Sequence, residues 1–106
     1  MSKTKPVDYF SICMKMVLDK DVGSKNNDDG NTFADNQLLL ASKSAMALKL
    51  HEASLNGRHG WWDKDVCSID DLLTMRDKAL KENDHVSVLN FTAMIAMRES
   101  LNIDEA

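Results

Sequence analysis

The sequence predicts an all-α protein: a compact bundle of about four helices forming a single domain over residues 1–106. Three observations carry that expectation. Leu, Met and Ala supply 28 residues, against 14 for the β-branched Val, Ile and Thr, a balance that favours helix over strand. The one proline is Pro6 and there are 4 glycines, so few residues interrupt a long helical run. With 106 residues the chain has room for one hydrophobic core and too little for two.

The first helix is expected over about Val7 to Leu18, with Pro6 suited to its start and Asp8 in its first turn. Tyr9, Phe10, Ile12, Cys13, Met16 and Val17 give it a broad apolar face. Asp19 to Asn31 reads as a flexible loop, because Gly23, Asn26, Asn27 and Gly30 favour turns. The second helix is expected from about Phe33 to Leu55, capped by Asn31 or Thr32 and stopped by Asn56-Gly57. Leu38, Ala41, Ala45 and Leu48 share one of its faces. Leu39, Met46, Leu50 and Ala53 form another, and Leu40 and Ala47 point to a third.

Ser68 opens the third helix, with Asp71 three places on as a short, imperfect capping-box partner. Ile69, Leu72, Leu73, Met75, Ala79 and Leu80 make its stripe. Asn83-Asp84 breaks the pattern, and Asp84 is placed to cap a fourth helix from His85 to about Leu101. So short a break predicts an antiparallel hairpin; the tail from Asn102 to Ala106 is expected to fray. The second and fourth helices are apolar on several sides, more than a chain of this size encloses. Self-association through one of them, as a homodimer, is the expected remedy.

Between the second and third helices lies a loop of about residues 56–68 that holds both tryptophans, Trp61 and Trp62. Adjacent residues of an extended segment point to opposite sides, so one ring can enter the core while the other faces out. Packing is the favoured role for at least one ring. An outward Trp beside Arg58, His59 and Asp63 makes an anchor for a partner, because Trp and Arg are enriched at interface hot spots. The expected partner-binding set is therefore Arg58, His59, Trp61, Trp62 and Asp63.

The run Gly57-Arg58-His59-Gly60-Trp61-Trp62-Asp63, followed by Cys67-Ser68 and Leu72, resembles small uncharacterised proteins of tailed bacteriophages. Lys81 through Asp84, then Val88, Asn90, Phe91 and Met94, extend the likeness, which covers roughly positions 45–98. Those relatives tend to have Gly-Asp-Pro where this chain has Asn83-Asp84-His85. The resemblance implies a phage origin and a place in the cytoplasm of the infected host. It carries no established activity and no catalytic residue.

Other chemistries find less support. His51, His59, Asp63 and Cys67 could be gathered around zinc, or His59 and Cys67 into a thiol site, with the thiol pKa lowered at a helix start. Yet no CxxC, CxxH or HExxH spacing occurs, so no metal and no cofactor is expected. Aligning Gly30 with the glycine of a calcium loop puts Lys25 and Asn36 where carboxylates belong. No phosphate-cradling glycine motif is present, and Asp70-Asp71 suit a helix N-terminus better than a two-carboxylate mechanism. Thirteen basic against seventeen acidic residues give a net charge of −4, which disfavours a general polyanion binder. A single-strand binder using Arg58, His59, Lys64 and the tryptophans, or an acidic DNA mimic, are the remaining alternatives. No signal peptide or membrane span is expected, since Asp8, Ser11 and Lys15 interrupt residues 7–18. Cys13 and Cys67 are expected as thiols. The resulting functional expectation is a phage accessory protein, not an enzyme, that binds and modulates a host protein or counters a host defence.

Overall fold

The computed structural model describes residues 7–20 and 28–101. They contain four helices and no strand: α1 (Tyr9–Asp19), α2 (Asp28–Leu55), α3 (Ile69–Lys81) and α4 (His85–Ser100). The all-α class is therefore what the chain adopts. The helix-starting role of Pro6, the middle of the 19–31 loop (residues 21–27) and the tail 102–106 lie outside the described residues. Two compact units divide the chain, with the boundary inside α2 between Leu48 and Lys49.

In the first unit, Asp8 is the N-cap of α1 rather than a first-turn residue. Its carboxylate accepts the Ser11 backbone N–H at 3.0 Å, and that bond, with a second from the Ser11 side chain, lowers its pKa. Only Cys13 of α1 is fully buried. The second helix begins earlier than its turn-forming sequence predicts. Asp28 and Asp29 occupy its first turn, where carboxylates favour the positive end of the helix dipole. That preference, together with the helical run that follows, outweighs the turn propensity of Gly30-Asn31, so residues 28–31 belong to helix rather than loop. Lys20, the C-cap of α1, holds its ammonium 4.4 Å from the centre of the Phe33 ring and 3.4 Å from the Asp29 carbonyl.

The second unit is built on the α3–α4 hairpin, whose two helices pack against each other. Leu72, Ala79 and Ile95 are its buried apolar side chains. Small and medium residues let the two backbones approach closely. Leu80, expected on the α3 stripe, is exposed, since it lies about 100° around the helix from Ala79. The capping box of α3 is complete despite its short acid. The Asp71 N–H donates to Ser68 Oγ, and the Ser68 N–H donates to Asp71 Oδ2, both at 3.0 Å.

Asn83 makes the turn possible by adopting φ 57°, a left-handed conformation that asparagine tolerates better than most residues. The Asp84 N–H then reaches the Ala79 carbonyl at 2.9 Å and the Asn83 N–H reaches that of Leu80 at 3.2 Å. These two bonds satisfy the carbonyls at the end of α3 as a Schellman motif. Gly57, at φ 80°, closes α2 in the same way, with Arg58 N–H to Ala53 and Gly57 N–H to Ser54, each at 3.0 Å.

Asp84 serves three partners at this junction. It caps α4 by accepting from the Ser87 N–H at 3.2 Å, accepts the Ser87 hydroxyl at 2.6 Å, and pairs with Lys49 at 3.4 Å. Partial burial works against its charge. The Ser87 bonds and the Lys49 cation outweigh that penalty, so its pKa falls below the usual carboxylate value. A depressed folded-state pKa stabilises the fold above the unfolded value, and the contribution is lost as pH falls through the folded one. Asp84→Ala should cost about 1–2 kcal/mol at neutral pH, with the gap narrowing in acid. Asp84→Asn, which keeps a capping oxygen, should cost less. Urea titrations at neutral and acidic pH test both, and a pH-independent gap for the alanine variant would contradict the assignment.

Candidate functional site

The loop from Asn56 to Ser68 leaves α2 through Gly57 and enters α3 through its capping serine. Its interior is closed by its own backbone. Gly60 adopts φ 85°, and its carbonyl accepts the Asp63 N–H at 3.0 Å. The Asp63 carbonyl in turn accepts from Val66 at 3.0 Å and Cys67 at 2.9 Å. The Asp63 carboxylate also accepts the Asp65 N–H at 2.9 Å, a local turn of the kind aspartate makes with a backbone two residues on.

Arg98 ties this closed loop to the hairpin. It lies in the last turn of α4 and is 1% exposed. One of its terminal nitrogens, Nη1, donates to the Trp61 carbonyl at 2.9 Å and to the Cys67 carbonyl at a shorter distance. A buried cation is tolerable only where hydrogen-bond acceptors replace its water. Here those acceptors include main-chain oxygens near the two ends of one turn.

The expected partner-binding residues separate under this geometry. Trp61 is half-buried, whereas Trp62 is 62% exposed. Arg58 and His59 are exposed, and Asp63 is half-buried with its carboxylate engaged in the loop. Val66 is an exposed apolar neighbour that the linear pattern did not mark. Arg98 was equally unmarked. The available sign was a cation in an apolar stretch of α4, three and four residues after Ile95 and Met94.

The thiol expectation is corrected. A helix start favours a lowered pKa for Cys67, but burial raises it and the Asp71 carboxylate raises it further, more than the Arg98 charge lowers it. Cys67 and Cys13 are free thiols. Among the described residues, no group of three or more His, Cys, Asp or Glu side chains is placed to hold a metal ion. His51 and His59 are both exposed. No helix among the described residues is long and apolar enough to cross a membrane. A groove of about 390 Å³ lies in the first unit beside Val17, Lys20, Phe33 and Ala34, and holds none of the expected site residues.

Comparison with family models, curated proteins and solved structures returned no match.

Gly60 is the position on which the loop is least able to change. A Cβ there would sit 2.8 Å from Val66 Cγ1, on top of the cost of a left-handed backbone, whereas at Gly57 a Cβ meets nothing within 4 Å. Gly57→Ala should therefore lose about 1 kcal/mol. Gly60→Ala should lose more, and Val66→Ala in the same chain should restore part of the difference. Equal losses for the two glycine variants in urea unfolding would remove Val66 from the account.

Proposed function

We propose that this chain is a bacteriophage accessory protein that binds a protein of the infected host, modulating a host process or countering a defence. Its place of action is the host cytoplasm. The observation that supports the reading is Trp62, an aromatic ring 62% exposed on a loop whose backbone is tied at both ends. A backbone held in this way loses little conformational entropy on binding, and Trp is among the residue types enriched at interface hot spots. Arg58, His59, Trp61 and Asp63 surround it in sequence, and the phage resemblance runs through the same residues. The indole supplies apolar area, while Arg58 and His59 supply charge and hydrogen-bond donors for orientation.

The same reading includes a homodimer, and α2 is a better seam for it than α4. Leu38, Leu39 and Leu40 are 58%, 66% and 54% exposed. Three successive leucines cover about 200° of a helix, so a helix of another copy can shelter two of them at once.

The test is affinity capture from infected cells, identification of the bound protein by mass spectrometry, and titration of that protein with variants. Trp62→Ala should weaken binding by at least about thirtyfold, the loss expected of a hot spot. Unchanged affinity would remove the loop from the contact surface, and capture of nucleic acid alone would favour single-strand binding instead. For the dimer, light scattering should give twice the 11.9 kDa chain mass, and Leu39→Glu should return it to a monomer. A wild-type monomer at high concentration would refute self-association.

A further inference from the structure

We propose that Arg98 is the positioning residue of the Trp62 surface, gathering the two ends of the 61–67 turn on one guanidinium nitrogen. This role deepens the partner-binding reading and rests on it only for its biological purpose.

The geometry is specific. Arg98 Nη1 bonds the carbonyls of Trp61 and Cys67, residues 37 and 31 positions away from it in the chain. Two oxygens held by one nitrogen lie within roughly 6 Å of each other, although the same six-residue segment spans about 20 Å when extended. The side chains that follow and precede those carbonyls, Trp62 and Val66, are both exposed. The cation therefore lies beneath the turn and fixes the direction in which Trp62 leaves it. Because the guanidinium belongs to the last turn of α4, the surface is assembled only when that turn is helical. A lysine would keep the charge and several donors, but its rotatable, strongly hydrated ammonium lacks the fixed, coplanar N–H pair that Nη1 aims at the two carbonyls.

A merely structural Arg98, acting as a favourable cation at a helix C-terminus, predicts something different. Its removal would loosen α3 and α4 together and leave the loop no more affected than the core. Amide exchange separates the two roles. In Arg98→Met, exchange at Val66 and Cys67 should speed up at least about tenfold. Leu72, Ala79 and Ile95 should stay within about threefold of wild type. In a Trp62→Phe background, where Trp61 is the only tryptophan, acrylamide quenching should rise about twofold. Arg98→Lys should fall between Arg98→Met and wild type in both measurements.

Loop exchange that does not change, or that accelerates in step with the α3 and α4 amides, overturns the proposal. If Arg98→Met does not fold, Arg98→Lys decides by the same criterion: loop acceleration over an unchanged core supports the role, and any other result overturns it. The partner-binding reading fails separately. A loop released in Arg98→Met together with partner affinity indifferent to Trp62→Ala would leave Arg98 in its role and remove Trp62 from the interface.

Discussion

A guanidinium shut away from solvent is held by main-chain oxygens of the tryptophan loop, and the candidate surface depends on that arrangement. Arg98 gives up nearly all its water, and the carbonyls of Trp61 and Cys67 take its place. Hydrogen bonds to a charged donor are roughly twice as strong as neutral ones, and withdrawing either partner would strand a buried charge or a buried carbonyl. The loop is thus coupled to the last turn of α4, and α4 to α3 through the packing of Leu72, Ala79 and Ile95. A surface ring such as Trp62 is usefully rigid only if something beneath it is rigid too.

The second unit manages its junctions by the same means, satisfying backbone ends with nearby polar groups. Asn83 and Gly57 take left-handed conformations that close α3 and α2. Ser68 and Asp84 open the helices that follow. Asp84 joins its capping role to an ion pair with Lys49 in the last turns of α2. An exposed pair contributes little by itself, but here it acts on a carboxylate already oriented by Ser87. Few apolar side chains are fully buried among the described residues, so turn and cap geometry carries much of the specification of this unit.

Apolar exposure is unevenly spread. On α4 the exposed residues include His85, Ala96, Glu99 and Ser100, and Met97 is the large apolar side chain left more than half exposed. On α2 three leucines in a row remain more than half exposed. Periodicity alone ranks the two helices together, because both have apolar residues around most of the axis. The packed structure separates them, leaving the longer exposed apolar run on α2.

Local chemistry determined what was legible in the sequence. The class, the four helices, the stop at Asn56-Gly57 and the caps at Ser68 and Asp84 all depend on residues within four positions of each other, which spacing reveals directly. The start of α2 did not, since turn formers at Gly30-Asn31 compete with acids that favour a helix N-terminus, and propensity alone does not weigh them. Of the site, the sequence determined that two tryptophans share one Gly-flanked loop. Only the tertiary structure decided which ring is more covered, that the Cys67 thiol is pushed up rather than down, and that Arg98 anchors the loop. The Arg98 anchor depends on contacts 37 and 31 residues away in the chain, and the thiol shift on burial that outweighs the Arg98 charge; no local pattern encodes either.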